Sequence, residues 1–225
     1  MHPLDEERRR EHWHLSPADD CRYLFDYFPG QPRTAIGQLL ASFKCRPLVA
    51  AASAPRLHFK ELAIAQVAAA LRPCASREFV EAATWVPVPP SVTPAEPDYD
   101  DRLERTLRKA FEGYDLDLRA LLQQTRSTRP DHCREHRLSC AALLRVIRPN
   151  AEALEVGPPR ATIVLFDDLL TTGKHYRCCE QRLRELWPRV PVCGWFIARR
   201  ALRLHSSARP AQGSGIMKNA ASLLP

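Results

Sequence analysis

Two adjacent acids followed by a short threonine–glycine stretch are the residues of this chain best suited to chemistry. Asp167 and Asp168 come directly after the apolar run ATIVLF at positions 161–166. Carboxylates accept protons from sugar hydroxyls or hold a cation. After two leucines come Thr171, Thr172, Gly173, Lys174 and His175. Threonine hydroxyls, backbone N–H groups and the positive end of a following helix bind an anion, and glycine lets the anion approach closely. Together these groups predict a site for a phosphorylated sugar.

The elements around this segment predict where it lies in the fold. The run at 161–166 is unbroken and rich in β-branched residues, which is typical of a parallel strand buried on both faces. A helix is predicted over 174–187 and another buried strand over 191–198. This order indicates an α/β domain with a parallel sheet, in which ligands bind at the carboxyl ends of the strands. The alternative is an ordinary strand–turn–helix with solvated acids and Thr172 as a cap, but two carboxylates that end a buried strand need a compensating reason.

The rest of the chain predicts further helices and strands. Strands are expected over 21–28 (CRYLFDYF) and over 83–88 (ATWVPV), the second running into the stiff loop PPSVTP. Helices are expected over 34–44, 58–72, 116–124, 139–148 and, with Asp98 as the N-cap and Gly113 as the stop, over 99–112. The charged residues 1–15 are expected to be frayed, and the tail from residue 202 is expected to be disordered.

Composition limits the class of protein. Hydrophobic residues make up 45% and charged residues 26% of the 225 residues, which is typical of one globular domain with short extensions. No apolar run is long enough to span a membrane, and the charged start MHPLDEERRREHWHL does not resemble a secretory signal. A cytoplasmic protein with free thiols is therefore expected. Cys133, His136 and Cys140 offer three candidate zinc ligands without a fourth, so ordinary loop thiols are the favoured interpretation.

The formal charge of +7 favours an anionic small molecule over a polyanion. Residues 1–20 hold three arginines against six acids, whereas residues 102–148 hold eleven lysines and arginines against six acids. Aromatic residues do not alternate with the basic ones as a base-stacking surface requires. Nucleic acid is therefore an unfavoured partner, and no membrane partner is expected.

The segment IVLFDDLLTTGKH at 163–175 resembles the thirteen-residue signature of type I phosphoribosyltransferases. That signature has four apolar residues, two acids, two apolar residues and a Thr/Ser-Thr-Gly-x-Thr/Ser loop. Twelve of the thirteen positions fit, and the misfit is His175, where serine or threonine is usual. The resemblance extends to the competence-protein-F-like (ComF-like) branch through WVPVPP, through Tyr23–Phe28 followed by IGQLLASFK, and through QQTRSTRPDHCREHRLS.

This resemblance implies a fold and a domain organisation. The fold would be an open, mostly parallel sheet with flanking helices and a small N-terminal hood, built from residues 21–60 and the end of the chain. The domain would span residues 21–200, between a charged extension at 1–20 and a disordered tail at 201–225. The assembly state is left open between a monomer and a homodimer.

The resemblance also implies an activity, a pentosyl transfer of nucleotide metabolism. The protein would bind 5-phosphoribosyl-1-pyrophosphate (PRPP) with Mg²⁺ and transfer the phosphoribosyl group to or from a nitrogenous acceptor, with pyrophosphate as co-product. Its phosphorylated ligand would be PRPP or a nucleoside monophosphate. Asp167 and Asp168 would hold the ribose hydroxyls, directly or through hydrated Mg²⁺, and either one would serve as the acid/base group. The residues implied at the 5-phosphate are Thr171, Thr172, Gly173, Lys174 and His175, and those implied at the pyrophosphate are Val88, Pro89, Pro90, Ser91 and Arg102.

One departure from the family pattern leaves other functions open. The loop 89–101 contains no lysine or arginine, and its prolines remove N–H donors. Either Arg102 or Lys60 supplies the missing charge, or a grip on pyrophosphate is absent. The alternatives are a non-catalytic PRPP- or nucleotide-binding regulator and a ComF-like accessory protein that handles nucleic acid. The residues Arg126, Arg129, His132 and Arg134 would form either a catalytic flap or a plain basic loop.

Overall fold

The computed structural model describes residues 1–31, 33–128 and 139–202. The strands in chain order are β1 (His2–Pro3), β2 (Cys21–Tyr27), β3 (Ala83–Pro87), β4 (Asp117–Leu118), β5 (Leu122–Gln124), β6 (Ile147–Pro149), β7 (Thr162–Leu170) and β8 (Val192–Arg200). Six of them form one sheet in the order β1-β2-β8-β7-β3-β4, and β5 pairs with β6 in a separate antiparallel ribbon. Within the six-stranded sheet, β1 is antiparallel to β2 and the other neighbours are parallel.

Helices cover both faces of this sheet. They are α1 (Glu6–Arg9), α2 (Ala35–Phe43), α3 (Pro47–Ala51), α4 (Ala54–Leu71), α5 (Arg77–Ala82), α6 (Arg102–Ala110), α7 (Cys140–Val146), α8 (Ala151–Glu155) and α9 (Lys174–Leu186). The residues of β7 alternate between two hydrophobic clusters. Val164 and Phe166 pack with α2, α4 and α6, whereas Ile163 and Leu165 pack with α7 and α9. The prediction of a mixed α/β fold whose central parallel strand is buried on both faces is confirmed. Across the described ranges, every helix is too short or too polar to cross a membrane.

Residues 21–60 do not form the separate hood that we expected. Cys21–Tyr27 is an inner strand of the main sheet and runs parallel to β8, from Cys21 opposite Gly194 to Tyr27 opposite Arg200. The helices that follow it pack on the same sheet through Leu40, Phe43 and Ile64. The physical reason is that β2 is apolar enough to be buried between neighbouring strands.

The expectation that residues 1–15 are frayed is wrong. His2 and Pro3 pair with β2, and Leu4 is buried with 4% of its surface exposed. Arg9 then folds the segment back, because its guanidinium donates to the carbonyl oxygens of Ser16 at 2.8 Å and Asp19 at 2.6 Å. A few long-range contacts therefore order a segment whose composition is mostly charged.

Two helices predicted in the middle of the chain differ from those observed. The helix expected over 99–112 begins at Arg102, and Asp98 accepts from the N–H of Leu48 at 3.0 Å instead of capping it. The helix expected over 116–124 is replaced by β4, which pairs with β3, and by β5, which pairs with β6. Tertiary pairing outweighs helix propensity here. The expected tail beyond Leu202 lies outside the described residues.

Candidate active site

Asp167 and Asp168 lie on the last part of β7, where Asp167 is opposite Phe196 of β8 and the pairing with β3 has ended at Phe166. The alternation of the strand turns Asp168 to the face of Val164 and Phe166, which is covered by α2, α4 and α6. Asp167 lies on the opposite face, where its charge raises the pKa of Cys179 on α9, after the larger effect of burial. The Oδ1 atom of Asp167 accepts from the N–H of Asp168 at 2.7 Å. The structure thus keeps the two carboxylates adjacent but gives them different surroundings.

Two cations hold the carboxylate of Asp168. Lys44 Nζ lies 2.8 Å from Oδ1 and Arg102 Nη2 lies 2.5 Å from Oδ2. Lys44 directly follows α2, and Arg102 is the first residue of α6, so each helix end delivers one charge. Burial alone would raise the pKa of Asp168, but the two cations outweigh it and hold the pKa well below its usual value. Asp168 is therefore an ionised carboxylate at neutral pH.

The ion pairs continue from Arg102 into the helical layer. Arg102 Nη1 and Lys60 Nζ both lie 2.8 Å from Oδ2 of Asp100. Lys60 also donates to the carbonyl oxygens of Phe43 at 3.1 Å and Cys45 at 2.8 Å. The Lys60 ammonium is buried and bound by three oxygens. It therefore links α4 to the end of α2 and to Asp100. Of the two basic residues Arg102 and Lys60, Arg102 is therefore the one that contacts Asp168.

We refer to these side chains together as the charge cluster. Its members are Lys44, Lys60, Asp100, Arg102 and Asp168. The cluster contains one more cation than carboxylate, so it has a net positive charge beside the strand end. Positive charge, which loop 89–101 lacks, is therefore present beside Asp168 on the first residue of α6 and on the residue after α2. Lys44 was not among the predicted site residues, although it ends the segment IGQLLASFK on which the family resemblance partly rests.

Asp167 differs from Asp168 in its protonation. Burial raises its pKa first, and the negative charge of Asp168 raises it further, to about 7. Lys44 and Arg102 act in the opposite direction but do not restore the ordinary value. Near neutral pH, Asp167 is thus the member of the pair able to exchange a proton.

The turn after β7 is held between the strand and α9. Gly173 has φ +82° and precedes the helix as its N-cap. Thr172, Gly173 and Lys174 are buried, whereas Thr171 and His175 are partly exposed and keep one side of the turn accessible. The five consecutive residues predicted to bind the 5-phosphate thus lie at the start of α9, and the predicted start of this helix at residue 174 is confirmed.

The loop after β3 offers few hydrogen-bond donors. The N–H of Val88 donates to the carbonyl oxygen of Phe166 at 2.9 Å, which fixes the loop beside β7 but uses that donor. Pro89 and Pro90 have no N–H, and the carbonyl oxygen of Ser91 accepts from Thr128 at 2.8 Å. Val88, Pro89 and Pro90 line a cavity next to α6 and β5. The loop therefore contributes a wall to this cavity, whereas the positive charge beside Asp168 comes from Arg102 and Lys44.

The side chains as placed do not form a resident Mg²⁺ site. Both oxygens of Asp168 are bound by cations, and residues 1–31, 33–128 and 139–202 contain no group of three or more His, Cys, Asp or Glu arranged to hold a metal. Two of the candidate zinc ligands, Cys133 and His136, lie outside the described residues. The same holds for the flap candidates Arg129, His132 and Arg134, whereas Arg126 is described and exposed.

Substituting Gly173 tests the packing of the turn. A Cβ at position 173 would lie 2.6 Å from Cδ2 of Leu15, and the positive φ adds a strain of about 1–2 kcal/mol. Gly113 has the same φ of +82° with nothing near its Cβ, which makes it a matched control. We expect Gly173→Ala to lower the free energy of unfolding, measured in urea, by more than Gly113→Ala. Equal losses would contradict a tight contact with Leu15, and Leu15→Ala should relieve the excess.

The buried His12 predicts a pH dependence of stability. Burial, and secondarily Arg199, lower its pKa below the ordinary 6.5, so the folded protein takes up a proton less readily than the unfolded chain. Stability is therefore complete above about pH 6.5 and decreases as pH falls, by at most about 1.4 kcal/mol per pH unit for one proton. Urea unfolding of wild type and His12→Asn between about pH 7.5 and 5.5 measures this. An equally steep decrease in both proteins would contradict it.

No family model matches the sequence, and no curated protein matches it significantly.

Proposed function

We propose that this chain binds PRPP and transfers its phosphoribosyl group to or from a nitrogenous acceptor, with pyrophosphate as co-product. The observation that carries the proposal is the Asp167–Asp168 pair at the carboxyl end of β7, followed at once by the turn that starts α9. A phosphorylated ribose needs acceptors for its ring hydroxyls and a helix N-terminus for its phosphate. Both needs are met within one strand–turn–helix segment.

The two carboxylates take different roles in this proposal. The ionised Asp168 accepts from the ribose hydroxyls and stabilises the positive charge that develops at the anomeric carbon. As the bond from that carbon to pyrophosphate breaks and the new C–N bond forms, the acceptor nitrogen loses a proton. Asp167, whose pKa is raised towards neutrality by burial, accepts that proton and returns it in the reverse reaction.

Pyrophosphate is assigned to Lys44 and Arg102 in place of the loop 89–101. The side chain of Lys44 is 41% exposed, so its ammonium is able to leave Asp168 for an incoming anion. Arg102 presents the planar donor set that suits phosphate oxygens. Because the donors around Asp168 do not suit a resident metal, Mg²⁺ enters in this proposal as part of the substrate's magnesium–pyrophosphate complex. There it would neutralise the leaving group.

Release of pyrophosphate from PRPP, measured with a panel of nitrogenous bases, tests the proposal. We expect turnover with wild type and none with Asp167→Asn/Asp168→Asn. The control is Glu152→Gln/Glu155→Gln, which removes two exposed acids on α8 and should behave as wild type. Binding of PRPP without release of pyrophosphate for any acceptor would defeat the assignment as an enzyme.

A non-catalytic PRPP- or nucleotide-binding regulator is the second candidate. It is favoured by the full occupation of Asp168 by Lys44 and Arg102 and by the scarcity of donors in the loop after β3. This function predicts that PRPP or a nucleoside monophosphate raises the melting temperature without any turnover. The same panel of bases separates the two functions, since even slow release that depends on Asp167 and Asp168 supports the enzyme.

A further inference from the structure

The segment His12–Leu15 lies directly against the turn that the proposed function assigns to the 5-phosphate. We call it the N-terminal brace. His12 Nδ1 bonds to the carbonyl oxygen of Thr171, and the N–H of His14 donates to the carbonyl oxygen of Thr172 at 3.0 Å. Leu15 packs over Gly173, as the near contact to its Cβ position indicates. The brace therefore contacts each residue of the turn in succession.

We propose that the brace orients this turn for the 5-phosphate and that His12 is its main positioning residue. The inference rests on the proposed function, because it concerns the same turn. It does not make His12 a catalytic residue, since His12 acts on the carbonyl oxygen of Thr171 and not on the ligand.

The argument follows from the geometry of the peptide unit. In a trans peptide, the C=O of one residue and the N–H of the next lie in one plane and point in opposite directions. All peptide bonds in the described part of the chain are trans. Because the carbonyl oxygens of Thr171 and Thr172 point to the brace, the N–H groups of Thr172 and Gly173 point away from it. That is the side on which an anion would lie at the start of α9.

Burial of the His12 imidazole costs free energy, which the contact to the turn would explain. Its side chain is fully buried, and Nε2 has no hydrogen-bond partner among the described residues. An apolar residue of similar size would avoid that unmet polar group. His12 Nδ1 donates in this arrangement, and the lowered pKa keeps the ring neutral with Nε2 unprotonated. The backbone contact to Thr171 is thus what the imidazole contributes that a leucine would not.

The opposite interpretation is that the brace blocks the phosphate site. The buried state of Thr172 and Gly173 is compatible with either interpretation. The two interpretations predict opposite changes in phosphate affinity. Removal of a positioning contact weakens phosphate binding, whereas removal of a block strengthens it.

Calorimetric titration with ribose 5-phosphate and, separately, with pyrophosphate tests the proposal. We expect His12→Leu to weaken ribose 5-phosphate binding by about tenfold, the loss of roughly one good hydrogen bond, and to leave pyrophosphate binding unchanged. His12→Asn places an amide N–H where Nδ1 lies and should restore binding. His12→Gln places the amide N–H near the position of Nε2 and should not restore binding. If His12→Leu does not fold, the difference in ribose 5-phosphate affinity between His12→Asn and His12→Gln tests the proposal.

Each outcome separates this inference from the function on which it rests. Absence of ribose 5-phosphate binding by wild type overturns the proposed function. Equal binding by wild type and His12→Leu overturns the brace alone, and tighter binding by His12→Leu shows a block. A parallel loss of pyrophosphate affinity shows a general structural role and also overturns the proposal.

Discussion

Lys60→Met is expected to lower the free energy of unfolding by about 3–5 kcal/mol, because a buried carboxylate loses one of its two cations and two carbonyl oxygens lose their charged donor. Lys60 is 3% exposed and binds Asp100 and two carbonyl oxygens. Methionine fills the same volume but satisfies none of these acceptors. Asp100 would keep Arg102 as its remaining cation, and the carbonyl oxygens of Phe43 and Cys45 would lose the ammonium that links α4 to the end of α2. Urea unfolding measures the effect.

Two further variants make this result interpretable. Lys109→Met removes an exposed lysine of α6 and should change stability by no more than about 0.5 kcal/mol. Lys60→Met/Asp100→Asn removes the buried carboxylate together with its cation and should recover part of the loss. A cost below about 1 kcal/mol for Lys60→Met would mean that the charge cluster is not held together through Lys60.

Asp168→Asn is expected to reduce the rate of pyrophosphate release by about 10²–10³-fold while the fold persists. The amide keeps the size and one acceptor oxygen of the carboxylate but removes the charge that opposes positive charge at the anomeric carbon. The rest of the cluster tolerates the change, because Lys44 is able to turn to solvent and Arg102 keeps its pair with Asp100. The comparison of kcat/KM between wild type and the variant measures the effect.

Asp117→Asn is the matched control for this substitution. Asp117 is also largely buried between two arginines, Arg119 at 2.6 Å and Arg160 at 3.8 Å, but it lies on β4 at the sheet edge. We expect it to lower stability without a comparable loss of turnover. Full turnover by Asp168→Asn would leave the charge cluster as a structural feature and would remove Asp168 from the chemistry.

The motif segment was predictable because its signals are local. An unbroken apolar run, two acids, a threonine–glycine turn and a predicted helix all lie within residues 161–187, and the structure has β7, the turn and α9 there. The residues Lys44, Asp100 and His12 lacked such signals. Lys44 meets Asp168 across 124 positions and His12 meets Thr171 across 159, and nothing in the local sequence indicates which charged residues will be buried together.

The wrong predictions of a helix over 116–124 and of Asp98 as a cap also result from contacts between residues distant in sequence. The segment LDLRALLQQ has helical spacing, yet the N–H of Arg119 bonds to the carbonyl oxygen of Trp85 on β3 and Gln124 pairs with Ile147 on β6. The position of Asp98 in the sequence predicted an N-cap. Its carboxylate instead accepts from the N–H of Leu48 and forms an ion pair with Arg46. In each case a partner distant in sequence competes with the local preference and prevails.

The two ends of the six-stranded sheet restrict how copies of this chain are able to associate. The edge strands β1 and β4 are two residues long, and they carry Pro3, which has no N–H, and Asp117, which lies in ion pairs. Short edges with proline or charge are poor templates for another strand. The apolar inner strands are therefore shielded from edge-to-edge aggregation, and a homodimer would have to form without extending the six-stranded sheet.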